Sequence, residues 1–346
     1  MARIGRLNVI ALWEAARMPD PVPHPEAFRA YWYFAQERQR IFEARLDGAC
    51  EPWTKDPILA SHRFCNSYRA SDRVSQHLIR VAYDSPTQSA EDLFVRVTLH
   101  RLFSRPETWD LLDATAGGLT ATTFDATQLA EALTEARENG QRIYTGAFIL
   151  CATPAFGFSR KHENHLALVQ AMLRDDVPER LLQMDSLRAV FEELLTWPLL
   201  GPFMAYQVAI DLNYTSLLNF DEDDFTVPGP GALRGLRKVF INSGGLSATE
   251  LVHWLVRYQD CVEEELGITP PRLFGRPLKA IDCQNLLCEV DKYCREHLPQ
   301  LRSNRTRIKQ RFTPDRTPLS LFYPPKWGIN QAAARGSYGE RLVEAA

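Results

Sequence analysis

Apolar residues recur at helical spacing along most of this chain, and that period leaves little room for a sheet. Phe28, Tyr31, Trp32 and Ala35 fall at i, i+3, i+4 and i+7, and "ERQRIFEARL" extends the pattern. The same spacing predicts helices over residues 92–103, over "ATQLAEALTEARENG" closing at Asn139-Gly140, and over "HENHLALVQAML", "DSLRAVFEELL", "GPFMAYQVAIDL", "SATELVHWLVRYQDCVEEEL" and "QNLLCEVDKYCREHL". One strand candidate stands out, "RIYTGAFIL" at 142–150, short, β-branched and aromatic, although it reads equally as the start of a buried helix. The expectation is an all-α fold. At 346 residues the chain suffices for one large domain or two ordinary ones and needs no staple to bury its core. A helical body is expected over 1–300. Beyond it, "RSNRTRIKQRFTPDRTPLSLFYPPKWG" is basic, broken by proline and aromatic, so 301–346 reads as an irregular arm or tail.

Apolar residues at 45% and charged residues at 24% are globular values. A net charge of −3 names no partner, since a local basic stripe is enough for nucleic acid. The seven cysteines are odd in number, and the gaps between Cys283, Cys288 and Cys294 are not zinc spacings, so they read as small buried thiols in a reducing cytoplasm. No apolar run approaches the roughly 20 residues needed to cross a bilayer, and the N-terminus lacks a signal-peptide core. A soluble, cytoplasmic chain without a membrane partner is expected. His162 and His165 flank Glu163 at i, i+3, but no third ligand has helpful spacing, and solvated or capping histidines are the plainer reading.

The run "HRFCNSYRASDRVSQHLIRV" carries an unusual mixture. On a helix of about 100 degrees per residue, Asn66, Arg69, Asp72, Arg73, Gln76 and Arg80 share roughly a third of the circumference, away from Ala70, Val74, Leu78 and Val81. A solvated face laced with ion pairs accounts for this pattern. The choice of Arg over Lys throughout points instead to planar recognition of phosphate or base.

"EPWTKDPIL" followed by this run resembles the helical domain shared by 5-hydroxymethyl-deoxyuridine DNA kinases and the α-glutamyl/putrescinyl-thymine pyrophosphorylases, proteins of phage-type thymine hypermodification. "GPFMAYQVAIDLNY" with "DDFTVPGPGALRGLRKVF", and then "CQNLLCEVDKYCRE", follow in the family order, so the likeness spans roughly residues 28–298. The kinase branch carries an ATP-binding module, and this sequence has no Gly-x4-Gly-Lys-Ser/Thr loop. The resemblance therefore implies the other branch, a transferase in which an amino acid or polyamine amine displaces pyrophosphate from a pyrophosphorylated 5-hydroxymethyl-uracil in DNA. No cofactor is evident, and a divalent metal carried in on the pyrophosphate stays open. A glycosylase or lyase acting on modified pyrimidines, with Asp211 or Asp224 as a displaced acid, and a non-catalytic DNA-binding module stay open as well.

"TWPLLGPFMAYQVAIDL" resembles the hairpin of helix-hairpin-helix DNA glycosylases, with Pro202 as a first helical residue, and puts a hairpin-like part at about 185–245. The glycosylase acid is missing, because Pro228 follows Val227 where an Asp would stand. In "VPGPGALRGLRK", Gly229 and Gly231 open a helix carrying Arg234 and Lys238, a pattern that suits a phosphate or pyrophosphate. For the implied reaction Arg69, Arg73, Arg234 and Lys238 would stabilise the leaving group. Asp72, then Glu289 beside Lys292, would be the base. Asn66 or Gln76 would read the uracil edge, and Trp53 or Tyr206 would receive a flipped base. Asp56, Gly201, Gln207 and Asp211 stand in the shared blocks as further substrate or DNA contacts. Arg305, Arg307 and Lys309 give the arm its basic character.

Overall fold

The computed structural model describes residues 20–146, 153–301, 304–308, 310–314 and 319–334. Its helices are α1 (Pro25–Leu46), α2 (Pro57–Ser61), α3 (Arg73–Tyr83), α4 (Ala90–Phe103), α5 (Pro106–Ala116), α6 (Ala126–Glu138), α7 (Lys161–Arg174) and α8 (Val177–Leu182). They continue with α9 (Leu187–Leu195), α10 (Pro202–Asn213), α11 (Pro230–Val239), α12 (Ala248–Tyr258), α13 (Val262–Leu266), α14 (Ala280–His297) and α15 (Asn330–Ala334). Proline at the first turn and side-chain caps start many of them. Asp56 Oδ1 accepts from the amides of Ile58 and Leu59 to cap α2, and Ser247 with Glu250 forms a capping box on α12. Among the described residues the sheet is one antiparallel pair, β1 (Val22–Pro23) and β2 (Phe240–Asn242). The body is therefore helical, as expected. No described helix is long and apolar enough to cross a membrane. The strand expected at 142–150 has no counterpart over 142–146, and its remainder lies outside the described residues.

Two helices are buried nearly all round, α4 from Asp92 to Phe103 and α10 from Met204 to Asn213, and such helices belong at the centre of a domain. α9 and α10 pack together across a turn in which Leu199 takes φ 69°, so the helix, turn and helix expected around residue 200 are present. The tightest crossing is that of α11 on α14. A Cβ on Gly231 would lie 2.2 Å from Cys288 Sγ, and one on Gly235 would lie 2.1 Å from the carbonyl oxygen of Leu287. The glycines of "GPGALRG" let two backbones meet. That corrects the expectation that Gly229 and Gly231 cradle a phosphate, since a Cβ on Gly229 would meet the Phe203 ring at 2.7 Å.

The polar run is not one helix. Arg69–Ser71 is a 3-10 turn, Asp72 is extended at φ −73°, ψ 144°, and α3 begins only at Arg73. Local side chains take the backbone groups a helix would use. Asn66 N–H donates to Asp72 Oδ1 at 2.8 Å, and Asn66 Nδ2 donates to the Ser71 carbonyl at 2.8 Å. The predicted helix over 247–266 likewise breaks at Gln259–Cys261, between α12 and α13.

The described parts of the arm lie along this same segment. Arg63 N–H donates to Gln310 O at 3.0 Å, and Phe312 N–H donates to Ser61 O at 3.1 Å. Phe322 N–H donates to Gln76 Oε1 at 2.9 Å, and Tyr323 OH pairs with Ser71 Oγ at 2.9 Å. The last described part of the arm holds a 3-10 turn, Pro325–Trp327, and α15.

Gly235→Ala tests the crossing. In an open helix this change stabilises by about 1 kcal/mol. Here it should destabilise by about 1–3 kcal/mol, the cost of overpacking. Gly201→Ala, where a Cβ meets nothing within 4 Å, should leave the urea midpoint nearly unmoved.

Candidate functional site

Three charged side chains from three parts of the fold converge on the backbone of Cys65 and Asn66, and a fourth pairs with one of them. Glu289 Oε2, on α14, accepts the Cys65 N–H at 3.1 Å. Arg38, on α1, donates from Nε to the Cys65 carbonyl at 3.0 Å and from Nη2 to Asn66 Oδ1 at 2.9 Å. Asp72 Oδ1 accepts the Asn66 N–H. Lys292 Nζ lies 2.5 Å from Glu289 Oε2, one turn further along α14. Cys65 and Asn66 are thus held at two consecutive peptide groups while the Cys65 residue stays exposed.

The electrostatics follow from this crowding. Burial and the neighbouring Glu289 push the Asp72 carboxyl up from 3.8 to about 6, against the opposing pull of the Asn66 N–H and of Arg38. Although Cys65 keeps exposed surface, desolvation by the groups packed around its sulfur, with Asp72 and Glu289 beside it, holds the thiol well above its ordinary value. Burial draws Lys292 down, but Glu289 and Cys65 more than offset it, and the ammonium is favoured. The result is a partly open recess with one carboxyl poised near neutrality beside an ammonium and a guanidinium.

Of the expected site residues, Asn66, Asp72, Glu289 and Lys292 meet here, although they come from two distant sequence blocks. Arg38 and Cys65 join them unannounced. Arg38 lies in an amphipathic helix and no local spacing singles it out; Cys65, with Cys50 and Cys261, is exposed, which corrects the expectation of buried thiols, while Cys283 and Cys294 are buried as expected. Two expected readers of a base edge are constrained. The Asn66 amide bonds to Ser71 and Arg38, and the Gln76 amide to Ala70 O at 2.8 Å and Phe322 N–H at 2.9 Å. Each amide already has one N–H and one oxygen lone pair engaged within the protein.

Arg69 is not on the recess surface. It is 4% exposed, and its Nη1 pairs with Asp211 Oδ1 at 2.7 Å while Nε and Nη2 donate to Gln207 Oε1 at 3.1 and 3.0 Å. Arg101 binds the other oxygen of Asp211. Burial would raise the Asp211 carboxyl, but the two guanidiniums hold it below its ordinary range. Arg69, Gln207 and Asp211 form a core network, with Tyr206 buried nearby and bonded to Phe225 O at 3.4 Å. Arg69 N–H also donates to Asp282 Oδ1 at 2.8 Å, and burial and Glu222 push that carboxyl up to about 7.

Arg234 and Lys238 are likewise committed. Their charges lie 3.1 Å and 3.1 Å from the oxygens of Asp291, which is fully buried and also holds Arg295 at 2.6 Å. Asp56 caps α2 and accepts Tyr293 OH at 2.7 Å. Trp53 donates its indole N–H to Ala49 O and packs against Phe312 and beneath Arg45. Gly201 is exposed as the N-cap of α10, and Arg73 is exposed on α3. His162 and His165 are buried rather than solvated, bonded to Thr134 Oγ1 at 2.9 Å and Tyr144 OH at 2.8 Å. No group of three metal-ligating side chains occurs among the described residues. Two surface cavities, of about 260 and 410 Å³, lie on α5 and between α6 and α7. Neither touches the Cys65 recess, which is marked by converging charge rather than by volume.

Comparison with known proteins agrees with these blocks. The family described as 5-hmdU DNA kinase, helical domain, matches residues 25–303. A 5-hmdU DNA kinase of Bacillus phage SP10 is 30% identical over 296 residues, which is 78% of this chain and 46% of the relative. The chain thus spans about half the length of that kinase. No solved structure matches.

Arg69→Ala should destabilise the fold by about 3–5 kcal/mol, the cost of leaving one partner of a buried ion pair uncompensated. Stability against pH separates Asp72 from it. A carboxyl raised from 3.8 to about 6 binds its proton more tightly when folded. The contribution of Asp72 to stability should therefore fall as pH rises from about 4 to about 6, alongside that of Asp282, which runs on to about 7. Asp72→Asn should make that slope shallower between about pH 4 and 6 and leave the part above pH 6, as read by urea midpoints across the range.

Proposed function

The chain belongs to the family of the 5-hmdU DNA kinase helical domain, and we propose that it is a DNA-modifying transferase of thymine hypermodification. In the proposed reaction an amine displaces pyrophosphate from a pyrophosphorylated 5-hydroxymethyl-uracil in DNA. The relative's name supports modified uracil in DNA as the substrate class. The observation that carries the reading is the meeting of Asp72, Glu289 and Lys292 with Arg38 around Cys65.

The chemistry suits that set. The amine lone pair attacks the exocyclic methylene carbon, the carbon–oxygen bond to pyrophosphate breaks, and the oxygen leaves with the bonding electrons. The attacking nitrogen sheds a proton, which Asp72 accepts. A carboxylate with a pKa of about 6 is better matched to that task at neutral pH than one at 3.8. Lys292 and Arg38 supply positive charge to the departing pyrophosphate, and Glu289 positions Lys292. A divalent metal would enter with the pyrophosphate, since no described cluster is built to hold one. Exposed Arg63 and Arg311, with Arg305 and Arg307 of the arm, line the approach for the DNA backbone. The α9–α10 turn, read as a glycosylase-like helix-hairpin-helix, would present the exposed Gly201 end of α10 to another phosphate. Asp211, locked between two guanidiniums, is a poor acid for base excision.

The test is mass spectrometry of nucleosides from DNA carrying 5-(pyrophosphoryloxymethyl)-uracil, incubated with protein and an amino acid or polyamine. Pyrophosphate should appear only with protein and amine together, and the base should gain the mass of the amine. Asp72→Asn should slow turnover by about 10²–10⁴-fold, as for loss of a general base, and the wild-type rate should rise with pH through about 6. Free base with an abasic site would establish a glycosylase instead. Unchanged DNA with every amine would establish a binding module.

A further inference from the structure

The cavity on α5 has no role in the reaction just described. It holds about 260 Å³ and is lined by Arg105, Glu107, Thr108, Gln141 and Arg142 among others. Arg142 is exposed and takes part in none of the ion pairs among the described residues. Arg105 lines the cavity with a guanidinium whose Nε–H has no acceptor. Arg73, the first residue of α3, reaches the rim, where its Nη2 lies 3.8 Å from Glu107 Oε1. Glu107 is the counter-charge present, and it is weakly held: its other partner, Arg105 Nη2, is 3.2 Å away, and its own side chain is 55% exposed. Two guanidiniums, Arg105 and Arg142, line the hollow against one lining carboxylate, Glu107, and Arg73 approaches that carboxylate from outside. α5 adds the positive end of its dipole there, and its N-cap, Arg105, supplies no side-chain acceptor to quench it.

We propose that this cavity binds a phosphate group, with Arg105 and Arg142 as the fork and Arg73 at its edge, and that the phosphate belongs to the DNA strand whose base occupies the Cys65 recess. This rests on the reading of DNA as substrate. The connection is short, because Asp72 in the recess and Arg73 at the cavity are consecutive residues at the head of α3. Planar guanidiniums in pairs match phosphate oxygens, whereas a neutral or cationic occupant would gain nothing from them. A bound phosphate would displace Glu107 towards solvent and fix the first turn of α3, and with it the residue that carries the proposed base.

The experiment measures DNA affinity by fluorescence anisotropy over a range of salt, for wild type, Arg142→Gln, Arg105→Gln/Arg142→Gln and Arg257→Gln. Arg257 is exposed on α12 and controls for loss of charge alone. The double variant should lower the log–log salt slope by about 0.9, one phosphate contact on duplex, while the control leaves it unchanged. Arg142→Gln alone removes an exposed, unpaired side chain, so its loss of slope is not confounded by unfolding. Calorimetry with inorganic phosphate and pyrophosphate identifies the source of the anion. Weak binding of either, abolished in the double variant, supports the site. If wild type binds these anions and not DNA, the site takes a free phosphate and the DNA reading fails separately. Equal slopes in the double variant and control, with no difference in anion binding, would overturn the proposal.

Discussion

The ion pair between Arg69 and Asp211 is the contact on which the rest of this structure depends. A guanidinium 4% exposed and a carboxylate fully buried would each be costly alone. Together with Arg101 and Gln207 they join the loop before α3 to the two central helices, α4 and α10. Because Arg69 is anchored inward, the chain must turn there, and the residues on either side are directed outward. Asn66 and Asp72 then meet across that turn, and the recess is built on their hydrogen bond.

Helix α14 is the other fixed point. It sends a polar side chain to nearly every neighbour that matters. Asp282 holds the Arg69 amide, Glu289 holds the Cys65 amide, Asp291 gathers the cations of α11, and Tyr293 reaches the cap of α2. These bonds are made to backbone groups or to partners on other elements, so the helix sets positions. The glycines of α11 serve the same end, since only without a Cβ can α11 approach close enough for Arg234 and Lys238 to reach Asp291.

The helices were legible in the sequence because burial imposes a period, and a period is a local property. The resemblance of their blocks also grouped Asp72, Glu289 and Lys292 in one expected site, and the fold brings these side chains together around Cys65. What was not legible depended on partners far away in sequence. The run from Asn66 to Arg80 has helical spacing, yet Asn66 and Asp72 bond to each other and Arg69 turns to Asp211, more than a hundred residues on. Arg234 and Lys238 looked like phosphate ligands because nothing nearby in sequence could neutralise them, and Asp291 supplies that charge from another helix. Arg38 shows the converse: an ordinary helix cation locally, it becomes a site residue only when Cys65 is folded against it.

The central claim is that the Cys65–Asn66 recess faces the DNA. The exposed cysteines measure this directly. Alkylation at alkaline pH, where the raised Cys65 thiol ionises more readily, can be followed peptide by peptide by mass spectrometry with and without DNA bearing the modified uracil. Bound DNA should slow labelling of Cys65 and leave that of Cys261, between α12 and α13, unchanged. Equal labelling of Cys65 in the free protein and in a saturated DNA complex would contradict it.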